Sequence, residues 1–415
     1  MPPFKLGFIG VGFIARFLGT ALKSVRGVEL SGVYAPRRAN EFSAWAQSEG
    51  LGPCTPANDV AALCEACDAV AVLAPNFARV ELLTAIADAV NAGAELKGVI
   101  CEKPLGRTVA EAETLVALAR GAGLKTAYFE NQIHMKAIKN ALAQLKPQQE
   151  AMGPMTLARS AEEHAGPHNG WFWDPTQQGG GVLSDMGCHS IAVSWFALNP
   201  PDKPVNFMKP VSVTAETALL KWGRAPYRDQ LLKNMGVDYT KIPAEDFATG
   251  IITFRNPETG QEAKAQFTNS WMYDKQGLRL AMDGLGPGYA FEVNSLQSPL
   301  EVFIGDQAAD AVADAETALE KATASRGLLA VQPNEADLYG YVDEIEDAVK
   351  AFEEGRDALL TWEYGLEITK LCQAAYMAAE QRKTLDLTDP ETIAELQNYK
   401  SLIAQGRGAE VLAVG

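Results

Sequence analysis

The chain has 415 residues, 47% of them hydrophobic and 21% charged, which is ordinary for a globular protein of two or three domains. Its formal net charge of −16 argues against a nucleic-acid binder, because neutralising phosphates needs a clustered basic surface. Six scattered cysteines do not make a secreted disulfide framework, and no uninterrupted apolar run reaches the ~20 residues of a membrane span.

The opening "MPPFKLGFIGVGFIARFLGTAL" lacks the basic leader and clean cleavage site of a signal peptide, so a cytoplasmic protein is expected. Strand-like "KLGFIG" runs into helical "FIARFLGTALKSV", then strand-like "VELSGVYA" and helical "ANEFSAWAQSEG". "DAVAVLA", helical "VELLTAIADAVNAG", "KGVIC", a further helix and "KTAYFE" continue the alternation. Short apolar runs alternating with amphipathic helices describe β-α-β units and a parallel sheet covered on both faces. Thr108-Val-Ala-Glu111 is a capping box for the helix that stops at Gly121 and Gly123.

Between the first strand and helix lies Gly10-Val-Gly12-Phe13-Ile14-Ala15, a G-x-G-x-x-A dinucleotide fingerprint. Gly10 permits the tight turn, Gly12 lets backbone approach a pyrophosphate, and Ala15 lets helix pack on strand. The helix N-terminus then offers free N–H groups and a positive dipole to the phosphates. The tip of the second strand reads "VYAPRR", with no acid from Tyr34 to Arg38. An acid there would hold a ribose 2′-OH, whereas Arg37 and Arg38 suit a 2′-phosphate, so NADP(H) is preferred, with NAD(H) possible. The alternative is a solvated basic pair in a surface loop.

Cys64 and Cys67 form a C-x-x-C, but no second pair stands at zinc-site spacing and an apolar strand follows directly; a helix end is expected there. The third strand ends in Ala74-Pro75-Asn76 and the next in Glu102-Lys103-Pro104, both at the carboxyl edge where open α/β sheets bind ligands. A lysine is seldom buried unpaired, so Lys103 at a strand tip calls for a function.

With G-x-G-x-x-A, "APN" and "EKP" in order, and "GGGVLSDMGCHS" similar to G-G-G-x-L-x-D-x-G-x-H, the chain resembles the Gfo/Idh/MocA oxidoreductases, the glucose–fructose oxidoreductase and inositol dehydrogenase family. The resemblance runs to about residue 195 and implies an N-terminal Rossmann domain followed by an α/β domain with an open, mostly antiparallel sheet. It implies that Lys103 is the acid/base contacting the reacting hydroxyl, that Asp185 and His189 line the substrate side, and that Glu102 and Asn76 lie along the nicotinamide ribose. Asn131 is counted with the cofactor residues. The Lys-Pro bond is commonly cis in that family. One departure is Arg79 in "APNFARV", where a histidine is usual.

Physical chemistry supports the assignment independently. Hydride transfer from an alcohol requires loss of the hydroxyl proton, and a desolvated lysine near a cationic ring can take it. Asp185 and His189, spaced i and i+4, share a helix face on which the carboxylate can orient the imidazole. The stretch "EEHAGPHNGWFWDPTQQGGG" gathers His164, His168, Trp171, Phe172, Trp173 and Asp174. Aromatic faces beside polar groups suit a polyol or sugar, with His164 and Trp173 as candidate contacts; the alternative is aromatics that plug the core. Gly166 and Pro167 break the helix that an H-x-x-x-H metal pair would need, so no metal is expected.

Beyond Val205, strands joined by turns predict an antiparallel sheet with one face on helices; the other face, if apolar, is a natural subunit contact for a homodimer or homotetramer. Residues 306–333 look like a surface excursion. The following helix carries Leu338, Val342, Ile345, Val349 and Phe352 on one stripe. The expected division is residues 1–130 for dinucleotide binding and 131–415 for substrate binding and oligomerisation. The expected function is an NADP(H)-preferring oxidoreductase acting on a ring hydroxyl or ketone of a sugar, glycoside or cyclitol. The rivals are a glycosidase using NAD in transient oxidation and a non-catalytic dinucleotide or sugar sensor.

Overall fold

A computed structural model of the chain describes residues 2–274, 277–297, 300–304, 327–331 and 334–413. The chain divides into two compact units, residues 1–136 with 339–369, and residues 137–338 with 370–415.

The first unit is built on a six-stranded parallel sheet: β1 (Phe4–Ile9), β2 (Val28–Tyr34), β3 (Thr55–Pro56), β4 (Ala69–Val72), β5 (Gly98–Glu102) and β6 (Lys125–Phe129), in the order β3-β2-β1-β4-β5-β6. Apart from Lys5 at the start of β1, its central strands are buried along their length, as strands covered on both faces must be. Helices α1 (Phe13–Leu22), α2 (Ala39–Ser48), α3 (Val60–Ala66), α4 (Arg79–Asn91) and α5 (Val109–Gly121) form the crossovers. The α5 cap is made on one side only: Thr108 accepts from the Glu111 N–H at 3.2 Å, while the Glu111 carboxylate binds the Arg107 N–H and guanidinium.

Cys64 lies in the last turn of α3 and Cys67 caps it; both are buried, and burial pushes both thiols up to about 12. Thiols held neutral are inert packing groups. Gly7 on β1 is needed there, since a Cβ would stand 2.8 Å from the Cys67 sulfur.

The chain returns to this unit late. Helix α6 (Tyr341–Glu353) buries Val342, Ile345, Val349 and Phe352, and the Tyr341 ring meets Phe17 of α1 edge-on at 4.8 Å. Phe352 lies so close to β5 that a Cβ at Gly98 would come within 2.5 Å of its ring.

The second unit holds a seven-stranded mixed sheet: β7 (Leu157–Glu163), β8 (Lys209–Ala218), β9 (Phe247–Arg255), β10 (Glu262–Ser270), β11 (Arg279–Gly286), β12 (Tyr289–Asn294) and, after the separate β13–β14 pair (Leu300–Ile304, Gly327–Val331), β15 (Leu385–Asp386). The order is β12-β11-β7-β10-β9-β8-β15, antiparallel except where β7 meets β10. Ala263, Ala265 and Phe267 turn inward. The opposite face carries the register row Thr214, Ile251, Gln266, Arg159 and Asp283, with an Arg159–Asp283 ion pair at 2.8 Å, so it is mostly polar. Of residues 306–333, only strand β14 and nothing else is described.

Candidate active site

The strand order of the first sheet reverses between β1 and β4, and open α/β sheets bind ligands at such a point, beyond the carboxyl ends of the strands. The fingerprint loop leaves β1 there. Gly10 has φ +109°, and a Cβ on it would stand 2.9 Å from the Leu73 carbonyl carbon, so only glycine lets the two loops abut. Gly12 is the opposite case: a Cβ there would meet nothing within 4 Å, leaving open space against bare backbone. Ala15 is wholly buried against the sheet. The first turn of α1 carries no side-chain cap, and Phe13 beside it is 37% exposed. Bare backbone N–H groups at a helix start, facing open space, fit a dinucleotide pyrophosphate. Ile14 is half-buried in the same turn.

At the end of β2, Arg37 and Arg38 are exposed. Arg38 sits in the left-handed region at φ 64° and lays its guanidinium on Glu41, at 2.9 and 2.7 Å. That bond holds the Glu41 carboxyl below its usual range. Sequence reading found no acid up to Arg38; the acid stands in the first turn of α2.

Ala74 and Pro75 are half-buried after β4, and Asn76 is buried. Lys103, half-buried, follows β5 on the same edge; its N–H meets Glu102 Oε2 at 3.2 Å and its bond to Pro104 is cis. The residue that departs from the expected pattern, Arg79, is 3% exposed and aims its guanidinium at this turn. It donates to the carbonyls of Lys103 (3.2 Å), Pro104 and Leu105 (3.5 Å). Five N–H donors in a rigid plane suit several converging carbonyls, and a neutral imidazole has one.

Glu102, Glu130 and Glu344 are buried and near enough to one another for their charges to interact. Neither carboxyl oxygen of Glu344 finds a hydrogen-bond partner among the described residues. Burial, then the charges of Glu102 and Glu130, raise its pKa well above the ordinary value, so the fold favours its neutral form. Asn131 donates its side-chain amide to the Tyr339 carbonyl at 2.8 Å, tying down the returning chain.

In the second unit, the glycine run leads into a π-turn, Leu183–Gly187, and then helix α7 (Cys188–Leu198). Asp185 lies within the wider i→i+5 turn and His189 in the first turn of α7, so the pair flanks the end of a helical irregularity of the kind common at functional sites. Both are buried, at 4% and 5% exposure. His164 is buried after β7, its Nδ1 accepting from the Gly166 N–H at 2.9 Å, which puts the proton of the neutral ring on Nε2. Trp173 is 2% exposed, packed against Trp222 (4.6 Å) and Trp271 (4.8 Å), its indole N–H given to the Pro167 carbonyl. It plugs the core; the partly exposed rings are Trp171 and Phe172, stacked at 3.8 Å.

Residues 4–129 match the oxidoreductase family GFO_IDH_MocA, with its NAD-binding Rossmann fold, and residues 146–285 match the GFO/IDH/MocA C-terminal domain. The chain belongs to the GFO/IDH/MocA family. A glucose-6-phosphate 3-dehydrogenase of Bacillus subtilis (strain 168) is 26% identical over 196 residues, 46% of this chain and 53% of that protein. A 1,5-anhydro-D-fructose reductase of Ensifer adhaerens is 30% identical over 201 residues, 47% of this chain and 56% of that protein. The match therefore spans about half the length of these curated relatives. The crystal structure of GenD2 from gentamicin A biosynthesis in complex with NAD shares the fold, with a TM-score of 0.71 at 20% identity, over 93% of this chain and 97% of that one. Among the described residues, no helix is long and apolar enough to cross a membrane.

Within this GFO/IDH/MocA chain, sequence reading passed over Arg79 as the support of the Lys103 turn, and over the buried acid Glu344. Arg79 carried a signal, a lone cation opening an apolar helix straight after "APN". Glu344 carried none, since acids at that spacing also describe a solvated helix face.

Proposed function

We propose that this GFO/IDH/MocA protein is a cytoplasmic sugar or cyclitol oxidoreductase that moves a hydride between a nicotinamide dinucleotide and a ring hydroxyl or ketone. The observation that carries the reading is the buried Arg79 clamp on the turn of Lys103, at the same sheet edge as the fingerprint loop. A buried guanidinium spent on the backbone of one turn serves to hold that turn's side chain in register.

Gly10, Gly12, Phe13, Ile14 and Ala15 receive the pyrophosphate, with Ala74, Pro75, Asn76 and Glu102 along the nicotinamide half. When bound, the dinucleotide supplies hydride acceptance or donation at its nicotinamide ring. Lys103 takes the hydroxyl proton as an alcohol is oxidised and returns it as a ketone is reduced. Asp185 and His189 bind and orient the reacting hydroxyl, His164 lends its Nε2–H to the substrate, and Trp173 is scaffold. Arg37 favours NADP(H), with Arg38 contributing to the extent that Glu41 releases it. The dehydrogenase and reductase names of the two curated relatives support the substrate class.

The test is a panel of sugars, sugar phosphates and cyclitols offered with NAD+ and NADP+, read by nicotinamide absorbance. Turnover of at least one ring alcohol is expected. Release of a free sugar without net cofactor reduction would favour the glycosidase, and cofactor binding without any turnover the sensor.

A further inference from the structure

Two buried side chains of the second unit, neither used above, meet under the turn that carries Asp185 and His189. Glu245, just ahead of β9, and Tyr376, in helix α8 (Trp362–Gln381), are both fully buried. The Glu245 carboxylate accepts from the N–H groups of Gly181 and Leu183, each at 3.0 Å, and its backbone carbonyl accepts from Val182 at 3.1 Å. Tyr376 donates its hydroxyl to Glu245 Oε1 at 2.5 Å, and its oxygen accepts from Gly181 (3.2 Å) and Ser184 (3.1 Å). Every backbone N–H from Gly181 to Ser184 thus ends on one of these two residues, and the next, that of Asp185, bonds back to the Gly181 carbonyl at 3.1 Å.

The first N–H groups of a helix have no intrahelical partners, and a local Ser, Thr, Asp or Asn ordinarily serves them. Here no local side chain caps the turn, and the acceptors come from the segment just ahead of β9 and from a helix far away in sequence. The approach is too close for any other residue at two of the glycines. A Cβ on Gly180 would run into the Tyr376 hydroxyl, and one on Gly181 into the Glu245 carbonyl oxygen. The glycine run is therefore explained in part by the clamp that seats on it.

A buried ionisable carboxyl is a poor way to gain stability, since apolar side chains of the same volume do as well or better. Burial pushes the Glu245 carboxyl up to about 7. What such a network supplies is one defined backbone geometry. We propose that Glu245 and Tyr376 are positioning residues that fix the π-turn, and through it the placement of Asp185 and His189, without touching substrate. This inference rests on reading Asp185 and His189 as the substrate-side pair.

Tyr376→Phe removes only the hydroxyl and keeps the ring that fills the core. It is expected to lower kcat at least about tenfold while cofactor Kd stays within about twofold, because misplacing a reacting group costs rate and leaves the first unit untouched. In a His189→Ala background the same substitution is expected to cost less than about twofold, since residues acting through one another are not additive. Glu245→Gln, which keeps an acceptor of the same shape, should lose less than Glu245→Leu. The ring-proton NMR signal of His189, assigned with His189→Gln, should move in Tyr376→Phe while that of the exposed His168 does not.

An unchanged kcat with an unmoved His189 signal would overturn the proposal. So would full additivity with His189→Ala, or a fall in cofactor affinity in step with kcat. If the wild-type protein turned over no sugar or polyol, the functional reading would fail, and the His189 signal would still decide the clamp.

Discussion

Arg79 donates through Nη2 to the backbone carbonyl of Lys103 at 3.2 Å, and through Nη1 to the two carbonyls that follow. Removing the guanidinium leaves buried carbonyls unpaired, so Arg79→Met should cost about 2–4 kcal/mol of stability, measured by denaturant unfolding. Arg79→Lys restores charge without the planar fork; it should recover part of the stability and little of the turnover. Turnover fully restored by lysine would show that charge alone matters there.

The two fingerprint glycines should separate cleanly. Gly12→Ala adds a methyl to open space, so the melting temperature should hold within about 1 °C while dinucleotide affinity falls at least about tenfold. Gly10→Ala meets backbone at 2.9 Å with φ at +109°, and should unfold more easily by about 2 kcal/mol or more. Calorimetry and fluorescence titration of both variants check this; equal effects on both quantities would contradict it.

Glu41 competes for Arg38. Glu41→Ala should therefore tighten NADP(H) binding and leave NAD(H) within about twofold, at little cost in stability because the pair is exposed. Arg37→Ala with Arg38→Ala should weaken NADP(H) far more than NAD(H). Parallel shifts for both cofactors, read by equilibrium titration, would remove the arginines from cofactor choice.

Glu344 carries a stability signature of defined sign. Its folded-state pKa lies well above the ordinary 4.5, so the folded form favours the neutral carboxyl. Stability from this group is greatest at low pH and is lost as pH climbs from about 4.5 towards the raised folded value. Glu344→Gln has no charge to bury. Its melting temperature relative to wild type should therefore be higher at pH 8 than at pH 5, and a difference independent of pH would contradict the assignment.

The parallel sheet, its crossover helices and the fingerprint loop were legible in the sequence because each rests on local chemistry: apolar runs, helical periodicity and glycine where φ is positive. The stripe Val342, Ile345, Val349 and Phe352 was legible as a helix face too, although Leu338, expected on it, falls in a separate short helix that Gly340, at φ 91°, divides from it. Its destination was not, because nothing local in residues 339–369 records that they pack in the first unit. Trp173 illustrates the same limit. An aromatic among histidines and glycines reads as a sugar platform, and only packing against the distant Trp222 and Trp271 buries this one. Glu245 and Tyr376 act on a segment far away in sequence and leave no pattern of their own, and Arg79 leaves only the lone cation at the start of its helix.

Lys103→Met tests the account most directly, in a single preparation measured for dinucleotide Kd and for turnover of a ring alcohol. Turnover should fall by about 10²–10⁴-fold with Kd within about threefold, since the proton acceptor is gone and the phosphate cradle intact. A variant that binds cofactor and turns over substrate at the wild-type rate would contradict it.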